Sequence, residues 1–127
     1  MRTIEEKIIT TLRSGNGFKK LSCRDSVKVE ENRIEYYLGD NLLFWNNSDN
    51  IYFFSVRGYC SLTTKNRLNA ILYNFLRVYI IQKNYKWFLN WNQKEYLIDA
   101  TNIFYFKGDK LYKKASHDVE VLPIENN

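Results

Sequence analysis

The sequence predicts an α+β domain in which antiparallel β hairpins, arranged as a meander, pack on one central amphipathic helix, with a short N-terminal helix ahead of them. Three observations carry this. Short runs rich in aromatic and β-branched residues recur between clusters of turn residues. The apolar period lengthens from two residues to about 3.6 just after Gly58. No internal repeat, low-complexity tract or linker divides the 127 residues. An aromatic content of 17% excludes a disordered chain, which lacks such residues. The economical division is one domain over residues 1–115 and a polar, loosely attached tail over 116–127 that carries the single proline.

The elements follow in order. In TIEEKIITTLR the apolar residues Ile4, Ile8, Ile9 and Leu12 share one helical face behind Thr3 and two glutamates, a start signal, and the glycines of SGNG end it. Strands are predicted at 27–29, 33–38, 41–45 and 51–56, separated by EEN, GD and NNSDN. After Gly58, Leu68, Ile71, Leu72 and Phe75 form an apolar stripe, with Thr63 or Thr64 as the cap. The β-branched run Val78, Ile80, Ile81 places the end of this helix near Leu76 or Arg77. A second hairpin, VYIIQ and YKWFLN about a Lys83-Asn84 turn, precedes strands at 95–98, 103–106 and 110–114. The aromatics of these strands are assigned mostly to the core.

Charge supplies the candidate sites. The formal net charge is +5, and residues 65–94 hold six Lys/Arg with no Asp or Glu. At the mouth of the central helix, Thr63, Thr64, Lys65 and Arg67 surround backbone N–H groups that lack intrahelical partners, a setting that suits a phosphate. The same residues also serve a plain structural role: a threonine cap, a solvated Lys65, and Arg67 paired with a strand carboxylate such as Glu35. Further on, Arg77, Lys83 and Lys86 alternate with Tyr85, Trp87 and Trp91, combining cations for phosphates with rings for bases. Because Tyr85, Trp87, Leu89 and Trp91 share one strand face, some of those rings belong to the core. Asn69, a poor helix former, is expected to tie the helix to the loop of Gly58 and Tyr59.

No phosphate-loop, dinucleotide, zinc-protease or nucleophile-elbow motif is present, and an enzyme is not expected. Cys23 and Cys60 lack metal-ligand spacing and are expected as buried free thiols, so neither a metal nor a cofactor is implied. His117 and the carboxylates Glu30, Glu31, Glu35 and Asp40 are assigned to solvent. The longest apolar stretch, AILYNFLRVYII, is short and broken by Asn74 and Arg77, which argues against a membrane span and, with no leader-like start, for a cytoplasmic protein.

The order VKVEENRI, RGYCSLTTKNRLNAIL, IIQKNYKWFLN resembles a widespread group of small phage-encoded proteins. Their pattern is glycine, aromatic, any, Ser/Thr, any, Thr, Thr, Lys/Arg, any, Arg, Leu, Asn, Ala and two Ile/Leu, and here it falls on Gly58 to Leu72. Tyr59 stands where the group more often has tryptophan, and VEEN replaces a histidine-glycine-asparagine turn. The resemblance covers about residues 27–106; it implies a phage origin and names no activity. Taken with the charge pattern, it gives the expectation of a phage accessory protein for host takeover or counter-defence, acting in the cytoplasm of an infected bacterium. The expected partner is a polyanion, most simply nucleic acid. The alternatives are an inhibitor of a host or defence protein, and a sponge for a small signal nucleotide.

Overall fold

The computed structural model describes residues 3–125. It has the predicted α+β architecture: two helices and eleven strands in two antiparallel sheets. Helix α1 (Ile4–Ser14) begins where the Thr3 side chain accepts from the Glu6 N–H, and ends at Gly15. The strands that follow are β1 (Gly17–Lys20), β2 (Asp25–Glu30), β3 (Arg33–Leu38), β4 (Asn41–Asn46) and β5 (Tyr52–Phe54). Helix α2 (Leu62–Leu76) leads into β6 (Tyr79–Lys83), β7 (Lys86–Trp91) and β8 (Lys94–Ile98). The chain then completes β9 (Ile103–Lys107), β10 (Lys110–Lys114) and β11 (Val119–Val121).

The large sheet runs β1-β2-β3-β4-β5-β9-β10-β11 and the small one β6-β7-β8. The large sheet is therefore a continuous meander interrupted once, between β5 and β9, by α2 and the small sheet. Because strand side chains alternate, one face turns inward: Val27, Tyr36, Phe44, Phe54, Phe104 and Leu111 are all buried there. Both helices and the small sheet cover this face. Phe75 of α2 reaches Phe44 and Tyr52, and Trp91 of β7 meets Phe106 edge-on at 4.9 Å. Ile8, Leu68, Ile71, Leu72 and Leu89 complete one apolar core.

Several expectations are corrected. Residues 17–20 form an edge strand that the glycine-rich sequence concealed. The segment read as a loose tail supplies β11, paired to β10 through Leu111 and Val121, and the Ile124 N–H donates to the Glu95 carbonyl of β8. Residues 126 and 127 of that segment lie outside the described residues. The β6–β7 turn sits one residue later than expected, at Asn84-Tyr85 with φ 51° and 65°. A two-residue turn with both φ positive matches the twist of the hairpin, and it moves Tyr85 from a strand face to the tip, where it is 97% exposed. Trp87 and Leu89 go inward as expected. The two thiols are free but exposed, not buried.

Asn69 is the other correction. Its side chain does not hold the Gly58–Tyr59 loop; it bonds both backbone groups of Ile80, with Nδ2 donating to the carbonyl at 3.0 Å and Oδ1 accepting the N–H at 2.5 Å. The amide stands in for the missing neighbour strand at the β6 edge. Asn69→Leu, which leaves both groups of buried Ile80 without that partner, is expected to cost about 1–3 kcal/mol of stability in chemical denaturation.

Candidate nucleic-acid interface

The α2 mouth resolves first into structure. Its cap is Ser61, not Thr63 or Thr64: the Ser61 Oγ accepts the Thr64 N–H at 3.1 Å and donates to the Thr64 Oγ1 at 3.0 Å. Thr64 is buried in consequence, and Thr63 stands at the rim. Gly58 holds φ +80°, a left-handed conformation costly for any residue with a Cβ, and its N–H donates to the Ala100 carbonyl at 2.6 Å. Tyr59 beside it is 59% exposed. With Arg24, Ser61 and Thr63 it lines an open depression of about 210 Å³ against the β3–β4 turn.

Arg67 points the other way, into a buried polar cluster. Its Nε donates to the Asp25 Oδ1 at 2.8 Å and its Nη1 to Glu5; the Arg67 side chain is 14% exposed and Asp25 is 1% exposed. Ser22 and Tyr36 also donate to Asp25, at 2.6 and 2.5 Å. Burial pushes the Asp25 carboxyl up, but the hydrogen bonds from Arg67, Ser22 and Tyr36 and the guanidinium charge outweigh it and hold the group below the usual carboxylate range. Burial and the bond to Asp25 raise the Tyr36 hydroxyl. Glu35, the partner expected for Arg67, accepts instead from Arg33 and Tyr37. Arg67 is thus a structural cation joining α1, α2 and β2.

The remaining predicted cations do not gather on one surface. Arg77 takes a left-handed C-cap at the far end of α2, its guanidinium 5.2 Å from the Tyr73 ring. Lys65 lies in the first turn of that same 15-residue helix, near the opposite end. Lys83 pairs with Glu95 at 2.5 Å. Lys86 faces it across the hairpin, beside Tyr85 and Cys60. The single basic surface expected from the helix mouth through the hairpin therefore does not form.

The structure assembles a different surface on the outer face of the large sheet. The register places Phe18, Lys28, Glu35, Trp45, Phe53, Tyr105, Tyr112 and Glu120 directly opposite one another on successive strands, one row crossing all eight. At its centre four half-buried rings stand side by side: Trp45–Phe53 at 5.6 Å, Phe53–Tyr105 at 5.1 Å, and Tyr105–Tyr112 at 5.3 Å between centroids. Cations lie over them, with the Arg57 guanidinium 5.3 Å from the Trp45 ring and the Lys114 Nζ 5.6 Å from Phe53. Arg57 is held there by φ +53° and by its Nε bond to the Leu42 carbonyl at 2.9 Å.

Alternation adds Lys28, Arg33, Lys107 and Lys110 to the same face. Its carboxylates are engaged: Glu30 with Lys28, Glu35 with Arg33, Glu120 with Lys110, and Asp118 as acceptor for the Tyr105 hydroxyl. Burial and that Asp118 bond push Tyr105 up to about 12, so its ring stays uncharged near neutral pH. The face thus combines apolar rings with a surplus of positive charge. Chemically it can stack planar groups and neutralise phosphates. The sequence did carry a signal for it. Phe44-Trp45, Tyr52-Phe53-Phe54 and Phe104-Tyr105-Phe106 place aromatics on both parities, so with a period of two one set of them faces away from the core.

Among the described residues no helix is long and apolar enough to cross a membrane. No curated protein and no solved structure matches the chain. The family model described as Kyanoviridae Gp96 protein matches residues 1–112, which takes in α1, α2, the small sheet and the large sheet as far as β10. By that match the chain belongs to the Kyanoviridae Gp96 family of phage proteins.

Proposed function

We propose that this phage protein is a non-catalytic accessory factor that binds nucleic acid through the outer face of its large sheet, in the cytoplasm of the infected bacterium, to redirect or resist the host. The observation that supports the reading is the central ring row, Trp45, Phe53, Tyr105 and Tyr112, overlaid by Arg57 and Lys114. Phosphate neutralisation releases counterions, so affinity for labelled oligonucleotides is expected to fall steeply with salt. Lys114→Glu is expected to weaken binding and to reduce the slope of log affinity against log salt by about one contact. Absence of binding at low salt would remove the proposal.

A second reading has its own observation. Ile81, Phe88 and Leu97 lie opposite one another on the outer face of the small sheet, with Tyr79 nearby, an apolar strip suited to a host or defence protein. Co-purification from host lysate separates the two. Nuclease treatment abolishes the captured material in the first case and leaves a stoichiometric protein in the second.

A further inference from the structure

We infer that the ring row takes unpaired bases, making the ligand of this face a single-stranded nucleic acid rather than a duplex. The inference rests on the nucleic-acid reading above and follows from where the rings sit. Eight strands at about 4.8 Å spacing make a face roughly 34 Å across. The four rings occupy β4, β5, β9 and β10, with three strands beyond them on one side and one on the other.

A B-form major groove is about 12 Å wide and admits a helix or a two-stranded ribbon, not the middle of such a sheet. A duplex could therefore rest only its phosphates on this surface, and its paired bases would never reach the rings. Bases of a single strand turn freely and can lie on half-exposed rings, as on other sheet surfaces whose aromatics stack two or three bases. Three strand spacings give the ring row a span of about 14 Å, room for a few bases. Arg57 and Lys114, already over Trp45 and Phe53, then stand within reach of the connecting phosphates. Three carboxylates border the row and each is engaged: Glu35 beside Trp45 pairs with Arg33 at 2.7 Å, Asp118 accepts from the Tyr105 hydroxyl at 2.7 Å, and Glu120 opposite Tyr112 lies 3.8 Å from the Lys110 ammonium.

The test compares three labelled probes at one low salt concentration with the full chain: an oligothymidine, a duplex containing it, and an abasic strand of equal length and charge. The oligothymidine is expected to bind at least tenfold more tightly than either of the others. Trp45→Ala is expected to weaken the oligothymidine by roughly 5- to 150-fold and leave the abasic strand unchanged, with Trp45→Phe recovering most of the loss. Tyr112→Ala, checked like the others for native circular dichroism, guards against a Trp45 variant that fails to fold. Equal affinity for all three probes would overturn the inference while leaving phosphate binding by this face intact. Failure of every probe to bind would overturn both.

Discussion

Replacing Arg67 by methionine is expected to lower the free energy of unfolding by about 3–5 kcal/mol, because it leaves Asp25 as an uncompensated charge inside the fold. The size of the effect comes from burial on both sides of the pair: Asp25 is 1% exposed and the Arg67 side chain 14%. Two other elements are joined there, since Arg67 also holds Glu5 of α1 and Asp25 accepts from Tyr36 of β3. A double replacement, Arg67→Met with Asp25→Leu, is expected to recover part of the loss, as a buried pair removed whole costs less than one left half intact. Chemical denaturation of the three proteins checks this. A single variant within 1 kcal/mol of the parent would show that solvent screens the pair.

The same cluster sets a pH dependence whose sign is fixed. In the fold the Asp25 carboxyl lies below its ordinary value of 3.8, so its contribution to stability is present above that value and is lost as the pH falls through the folded-state one. Glu35, also held low against the opposing effect of its burial by the bonds from Tyr37 and Arg33, adds a loss of the same sign. Arg67→Met removes the guanidinium's share of the Asp25 effect, leaving the Ser22 and Tyr36 bonds in place, and also frees Glu5. Burial of Asp25 is then opposed by fewer partners, so its carboxyl titrates higher than in the parent, and the gap between parent and variant should narrow on acidification. Denaturation midpoints at neutral pH and below 3.8 measure it; a constant gap would contradict the assignment.

Phe54→Ala is the second large effect, with an expected cost of about 3–5 kcal/mol. Phe54 is fully buried, and its ring lies 5.6 Å from Phe104 and 6.2 Å from Phe106. It sits on β5, a strand of three residues that pairs with β4 on one side and β9 on the other. The residue thus stands where the two halves of the large sheet meet, and the cavity would open against both. Urea denaturation should show a lower midpoint, and hydrogen exchange should show earlier loss of protection in β9 and β10 than in β2 and β3. Phe54→Leu, which keeps most of the volume, is expected to retain most of the stability. Equal loss of protection on both sides would mean that the sheet opens as one unit.

Local chemistry made much of the fold legible. The Ile4, Ile8, Leu12 face of α1, the Leu68, Ile71, Leu72 stripe of α2, and the GD turns at 39–40 and 108–109 all act within a few residues of themselves, so the chain displays them in order. β1 and β11 were hidden for the opposite reason. Gly17-Phe18-Lys19-Lys20 is exposed throughout, and Val119-Glu120-Val121 is too short to show a period, so only the neighbouring strand makes either of them a strand.

The candidate site divides in the same way. Amino-acid order alone determined the class of the protein, its helices, most of its strands, and the concentration of cations in residues 65–94. Tertiary structure decided which charges remain available. Arg67 meets Asp25 across 42 positions and Lys83 meets Glu95 across 12, while Phe53 and Tyr105 are neighbours although a helix and a whole small sheet are inserted between their strands. Charge and ring content are properties of residues, but a surface is a property of register, and register between distant strands is settled by which faces the core must bury.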